Sequence, residues 1–240
     1  MKVLITNDDG INAENLKLLV EYVSKYYNDI LVLAPTEEQS AVSHKINIAY
    51  PIKLIKHKDI IPGVLTYSIN STPADCVKFA KLTLKYDFDL VFSGINNGLN
   101  LGEDIVYSGT VAAATEAVLL GKKSIAFSVE RNDNSGFLDG FELFINEYLN
   151  NPIYKEYNCY NVNFPKNPKG IEFGYQGFNE YQYWFEDLGN NEYLPKAIKK
   201  YSVKNEMKTD LDCFHNGYIT VTPISADMTN YSVLNNLKNK

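Results

Sequence analysis

Val3, Leu4 and Ile5 are an apolar, largely β-branched run broken at once by Thr6-Asn7-Asp8-Asp9-Gly10. A run this short and this apolar reads as a strand buried on both faces, the situation of a parallel sheet covered by helices. Two adjacent carboxylates at its carboxyl end are expensive to hold, because each charge loses water. A divalent cation offsets that cost, and Asp oxygens are the hard ligands that Mg²⁺, Mn²⁺ or Ca²⁺ prefer. In open α/β sheets, ligands bind beyond the carboxyl ends of the strands, where Asp8 and Asp9 fall. An Asp-rich turn, with Gly10 at positive φ and Asp9 beginning a helix cap, accounts for the same residues without a ligand.

The rest of the chain repeats the pattern. Residues 13–26 carry Leu16, Leu19, Val20 and Val23 at helical spacing, with Asn12 or Asn15 placed to cap. Residues 30–34 are a second buried strand closed by Pro35, and strand-helix-strand over this length is a right-handed βαβ unit. Residues 36–43, rich in hydroxyls, return to the same sheet edge as Asp8, which brings Ser40 and Ser43 within reach of a metal or phosphate. Residues 46–55, interrupted by Pro51, read as an edge strand or hairpin, and residues 67–69 as a further strand. Ser71-Thr72-Pro73-Ala74-Asp75 is a helix start, with Thr72 and Asp75 as caps. A third buried strand, residues 89–92, leads into an alternation of Gly and Asn from Ser93 to Gly102. That loop supplies positive φ and neutral oxygen donors, although Asn-Gly is also a common turn dipeptide. Ser108, Gly109 and Thr110 then open a helix whose free N–H groups, hydroxyls and positive dipole end suit an anion. The Walker and dinucleotide glycine patterns are both missing.

Residues 124–129 form a fourth buried strand, residues 137–149 an amphipathic helix, and residues 160–164 a strand stopped by Pro165. From Gly170 to about Tyr201 the chain turns to Tyr, Gln, Trp and charge with weak alternation, the pattern of an extended hairpin with no core of its own. Such an arm packs on another subunit, or folds back as a flap over its own domain. Residues 209–212 and 217–223 bring a strand back to the core, and residues 227–237 form a short helical tail. The expected organisation is one α/β domain over 1–240: a core of about 1–165 and 209–225, an arm of about 170–208 and a tail of 226–240.

Composition narrows the partners. A formal net charge of -6 and the lack of a basic stripe argue against a nucleic-acid backbone. Arg131 is the only arginine, so any phosphate chemistry is expected to lean on a metal, backbone N–H groups and lysines. Cys76, Cys159 and Cys213 are odd in number and widely spaced, as in a reducing cytoplasm, and His44, His57 and His215 are isolated. No apolar stretch approaches the ~20 residues of a membrane span, and the amino terminus does not read as a signal peptide.

Taken together the blocks resemble the SurE (survival protein E) family of nucleotidases. The resemblance is carried by I-T-N-D-D-G at residues 5–10, A-P-x-x-x-Q-S at 34–40, S-T-P-A-D at 71–75 and S-G-I-N-x-G-x-N-x-G at 93–102. Y-S-G-T-V-A-A-A at 107–114, N-V-N-F-P at 161–165 and G-Y-x-T-V-T-P at 217–223 complete it. It implies a Rossmann-like three-layer core of mostly parallel sheet with a C-terminal hairpin and helical extension that makes homodimers or homotetramers. It implies a divalent-metal-dependent phosphomonoesterase acting on nucleoside 5′- and 3′-monophosphates, with exopolyphosphatase activity as a further property. One Mg²⁺ or Mn²⁺ per subunit would be held by Asp8, Asp9, Ser40 and Asn96. Ala41 departs from the pattern, which usually has Gly after the metal-binding Ser.

These residues suit the chemistry, because phosphomonoester hydrolysis needs charge neutralisation on the phosphoryl oxygens and an in-line nucleophile. Two carboxylates with neutral oxygens from Ser40 and Asn96 leave a bound cation net positive. A water oriented by Asp8 or Asp9 is the expected nucleophile. Ser108, Gly109 and Thr110 are expected to hold the remaining phosphate oxygens, with Ser43, Asn100 and Asp104 nearby. A non-catalytic metal-dependent nucleotide-binding module is the alternative. A phosphotransfer receiver is excluded, because Ser93 and Asn96 follow the strand that would carry its acceptor aspartate.

Overall fold

The computed structural model describes residues 1–200 and 207–238. β1 (Lys2–Thr6), β2 (Asp29–Pro35), β3 (Leu54–Lys56), β4 (Leu65–Ile69), β5 (Leu90–Asn97), β6 (Lys123–Val129), β7 (Cys159–Phe164) and β8 (Ile171–Phe173) lie in one sheet. β9 (Glu180–Gly189) and β10 (Glu192–Lys200) form a separate antiparallel hairpin. β11 (Ile219–Pro223) returns to the main sheet, whose order is β3-β4-β2-β1-β5-β6-β7-β11-β8. Its centre, from β4 through β7, is parallel, and β3 and β11 run antiparallel to their inner neighbours.

Side-chain alternation along the strands assigns the two faces. Val3 and Ile5 of β1, Leu90 and Phe92 of β5 and Ile125 and Phe127 of β6 pack under α1 (Glu14–Val23) and α5 (Ser135–Asn150). Leu4, Leu31, Leu33 and Val91 point the other way, against α2 (Pro73–Leu82) and α4 (Gly109–Leu119), with the single turn α3 (Asp104–Tyr107) leading into α4. The result is the expected three-layer α/β core. Phe127 sits at the middle of the α5 side, fully buried, with the rings of Phe92, Phe144 and Phe164 at 5.5, 5.6 and 5.8 Å between centroids. Phe127→Ala is expected to cost about 3–5 kcal/mol through lost burial and the cavity left behind, read as a lower urea midpoint at unchanged slope.

Several local expectations are corrected. α1 is capped by neither Asn12 nor Asn15: Ala13 occupies the N-cap and no side chain caps the helix. Residues 46–53 form no strand, because Asn47 Oδ1 accepts the N–H groups of Ala49 and Tyr50 and folds the chain into a turn; only Leu54–Lys56 pairs with β4. Residues 209–212 start a helix, α6 (Asp210–His215), because Thr209 and Asp212 form a reciprocal capping box that outweighs the extended pattern. Thr72 is a cap as expected, its Oγ1 accepting from the Asp75 N–H at 3.2 Å, whereas the Asp75 carboxylate caps no helix N–H and instead accepts from the Asn47 N–H at 2.8 Å and from the Ser71 and Thr72 hydroxyls.

The arm begins later than expected. Ile171–Phe173 is an edge strand of the main sheet, parallel to β11, and Gly177 is fixed by its N–H donating to the buried Asp210 at 2.8 Å. Among the described residues of the expected arm only β9 and β10 stand apart, with Tyr183, Phe185, Leu188 and Tyr193 more than half exposed. The hairpin is tied to the core by Tyr181, whose hydroxyl donates to Asp104 at 2.7 Å. Residues 201–206 of the expected arm and 239–240 of the tail lie outside the described residues. The tail helix, α7 (Tyr231–Lys238), buries none of its residues.

Candidate active site

β1 lies between β2 and β5. From it the chain winds outward in both directions, so the crevice at the carboxyl ends of β1 and β5 is the topological switch point of the sheet. Asp8 and Asp9 come off β1 into this crevice. β5 runs on past the expected end at Phe92, through a break in its register with β6 between Ser93 and Asn96, and delivers Asn96 opposite them. The break is built on Gly94, at φ +137°, where a Cβ would lie 2.5 Å from the Phe127 carbonyl oxygen of β6. The loop after β2 supplies Ser40, and the Gln39 N–H donates to the Asp8 carbonyl at 2.7 Å, lacing that loop to β1.

These elements enclose a cavity of about 600 Å³ lined by Asp8, Asp9, Ser40, Asn96, Asn100 and Ser108 from the expected set, with Asp104 on its wall. Ser43, Gly109 and Thr110 do not line it. Thr110 is behind Asp8: its hydroxyl donates to one carboxylate oxygen, and its N–H donates to the other at 3.2 Å. Gly109 lets the helix approach, because a Cβ there would lie 3.0 Å from the Asp8 Cβ. The amino end of α4 therefore holds the carboxylate in place with its hydroxyl, N–H and dipole, rather than pointing into the cavity. Ser108 caps α4 by accepting the Val111 N–H at 3.1 Å, and the Ser43 N–H donates to the Tyr107 carbonyl. Asn100 is anchored from β7: its N–H donates to Asn163 Oδ1 and its carbonyl accepts from the side chains of Asn161 and Asn163.

The electrostatics are those of an uncompensated acidic site. Burial pushes Asp8 up from 3.8 to about 6, against the Thr110 hydrogen bond and with help from the neighbouring Asp9 charge. Asp9 is raised too, first by burial and then by the Glu38 charge, while the Asn97 N–H and the Arg131 charge pull it down. Its Oδ2 accepts from the Asn97 N–H at 3.2 Å. The donor chemistry fits a hard cation. Asn96 Nδ2 is committed to the Gly98 carbonyl at 2.7 Å, which leaves its amide oxygen for a ligand. The Ser40 hydroxyl donates to the Glu38 carboxylate, which leaves its lone pairs to coordinate. Among the described residues no cluster of three or more His, Cys, Asp or Glu forms a metal cage, so the set is two carboxylates plus neutral oxygens. Ala41, after Ser40, is held at φ 52°, a left-handed conformation that costs a residue with a Cβ roughly 1 kcal/mol.

Glu38, Asn97, Arg131 and Asn132 also line the cavity and were not expected there. Their signal is positional: Asn97 ends β5, and Glu38, Arg131 and Asn132 follow the carboxyl ends of β2 and β6. No lysine lines the cavity among the described residues, while the single arginine does, which reverses the expectation that lysines would meet phosphate. A larger, mostly apolar cavity of about 690 Å³ behind α3 shares only Ser108 with this one.

The sequence profile described as Survival protein SurE matches residues 3–183. A 5′-nucleotidase SurE of Petrotoga mobilis is 38% identical over 254 residues, covering 99% of this chain and 98% of the relative. The chain belongs to the SurE family. A second relative, the 5′-nucleotidase SurE of Thermoanaerobacter sp. strain X514, is 38% identical over 98% of this chain and 96% of its own. The crystal structure of the SurE protein from Aquifex aeolicus superposes with a TM-score of 0.83 at 32% identity, covering 100% of this chain and 99% of that one. The SurE fold is thus present from end to end, with its switch-point crevice formed by the blocks that carried the resemblance.

Proposed function

We propose that the chain hydrolyses nucleoside 5′-monophosphates to nucleoside and phosphate at the carboxyl edge of β1 and β5, around one divalent cation held by Asp8, Asp9, Ser40 and Asn96. The activity is that of a nucleotidase, a phosphomonoesterase, in keeping with the curated SurE relatives. The observation that carries the site is the adjacent pair of buried Asp8 and half-buried Asp9 facing neutral oxygen donors across a polar cavity. Mg²⁺ or Mn²⁺ suits that donor set. When bound, such a cation supplies Lewis-acid polarisation of the phosphoryl oxygens. Thr110 fixes Asp8 and the Asn97 N–H fixes one oxygen of Asp9, so that Asp8 or Asp9 would orient the attacking water. Asn100 and Ser108 border the place of the phosphate. We further assign the exposed β9–β10 hairpin to subunit assembly, as a homodimer or homotetramer, and place the enzyme in the cytoplasm on its three free buried cysteines. Among the described residues no helix is long and apolar enough to cross a membrane.

Phosphate release from a panel of nucleoside 5′- and 3′-monophosphates and short polyphosphate, with Mn²⁺ or Mg²⁺ and again with EDTA, tests this reading. Release from the 5′-nucleotides that stops with EDTA and returns with added cation is expected. Release indifferent to EDTA would remove the cation from the site, and nucleotide binding without release would leave a binding module instead.

A further inference from the structure

The cavity is acidic. Asp8, Asp9, Glu38 and Asp104 line it against one cationic side chain, Arg131. Four carboxylates and one guanidinium sum to -3, and a bound dication brings the wall to -1, still repulsive to a phosphomonoester dianion. Without Arg131 the same wall stands at -2. The loop that carries Arg131 is clasped to the site. The Asn132 N–H donates to Asn97 Oδ1 at 2.7 Å, Asn97 Nδ2 returns a bond to Asn132 Oδ1 at 3.4 Å, and the Asn97 N–H holds Asp9. Asn132 takes φ 60°, a left-handed turn that Asn tolerates and that this clasp retains. Arg131 thus precedes a residue bonded to the one that holds Asp9, both Arg131 and Asp9 line the cavity, and the Arg131 charge acts on Asp9.

We infer that Arg131 is the substrate-phosphate recognition residue of this enzyme, its guanidinium docking on the phosphoryl oxygens of the nucleoside monophosphate while the Asn97–Asn132 clasp sets its place. The inference rests on the cation site proposed above. A planar fork of donors suits two oxygens of one phosphate, which a lysine at the same place does not reproduce. The lining offers the dianion no other positive side chain among the described residues.

Calorimetric titration of the full-length chain tests this, first with Mn²⁺ alone and then with inorganic phosphate added to the Mn²⁺-saturated protein, in wild type, Arg131→Gln and Arg131→Lys. In Arg131→Gln, Mn²⁺ is expected to bind as tightly as in wild type or tighter, because a positive charge beside Asp9 has gone. Phosphate is expected to bind about ten-fold more weakly, the size of one charge-assisted hydrogen bond. KM for a nucleoside 5′-monophosphate rises by a like factor with a smaller change in kcat, and Arg131→Lys recovers part of both losses. Unchanged phosphate affinity in Arg131→Gln overturns the inference and makes Arg131 only a counter-ion to Asp9 and Glu38. A parallel loss of Mn²⁺ and phosphate overturns it as well, since the loop rather than the guanidinium would then be at fault. Wild-type protein that binds neither probe sinks the cation site and the inference together, whereas failure of the inference alone leaves wild-type binding of both intact.

Discussion

Asp8→Asn is expected to slow phosphate release a hundred-fold or more, on the order of losing a metal ligand, and yet to raise the melting temperature of the metal-free protein at pH 7. The two effects have one cause. Asp8 is buried and its pKa is pushed up from 3.8 to about 6, so at neutral pH the fold holds a desolvated charge that the unfolded chain keeps in water. At about 1.4 kcal/mol for each factor of ten, that charge costs the folded state about 3 kcal/mol. The sign follows from the direction of the shift. The folded group binds its proton more tightly than the unfolded one, so its stability contribution is complete below pH 3.8 and is lost as pH rises to about 6. An amide removes the charge but offers the Thr110 N–H and hydroxyl one acceptor fewer, which returns about 1 kcal/mol. The net gain of about 1–2 kcal/mol corresponds to roughly 2–8 °C for a chain of this size. Thermal unfolding in EDTA at pH 4 and pH 7 checks it: the variant melts higher at pH 7, and the advantage shrinks at pH 4. Added Mn²⁺ then raises the melting temperature of wild type and leaves the variant unmoved. A variant that melts lower than wild type at pH 7 would mean that Asp8 is a structural ion rather than a site held at a cost.

Gly94→Ala is expected to remove about 3 kcal/mol or more of stability, near 10 °C, together with the activity. At φ +137° the residue lies where side chains are strained, and the new methyl group would meet the Phe127 carbonyl oxygen at 2.5 Å and the Asn96 nitrogen at 3.2 Å. Neither neighbour can yield cheaply, since one is backbone of a central strand and the other belongs to the residue that must face Asp8. Relief by moving β5 carries Asn96 out of the cavity. A urea midpoint within experimental error of wild type, with phosphate release intact, would show that the register break tolerates a side chain and does not position Asn96.

Much of this is legible in the sequence. The runs at Val3–Ile5 and residues 30–34 are short, apolar without interruption and bounded by turn residues, a pattern that suits a strand covered on both faces, and β1 and β2 pair in parallel. Ser108 and Thr72 sit at helix starts because a hydroxyl accepting a first-turn N–H has a local signature. The failures share a different cause. Residues 209–212 and 46–53 depart from their extended pattern because a capping box and an Asn turn act over three residues and override weak alternation. The position of Thr110 at a helix start is local information and suggests an anion site, whereas its commitment to Asp8 spans 102 residues of chain.

By itself the sequence determined the layers, the parallel centre of the sheet and the adjacent carboxylates at the end of the first strand, because buried strands, caps and turns are short-range patterns of polarity and shape. Only the tertiary structure decided which residues share the crevice. The register break at Gly94 presents Asn96, Asn161 and Asn163 of β7 hold Asn100, and the Asn97–Asn132 clasp brings the lone arginine to an acidic wall. Each of these depends on which strands are neighbours and on the register between them, and pairing between segments far apart in the chain leaves no periodic trace in either one.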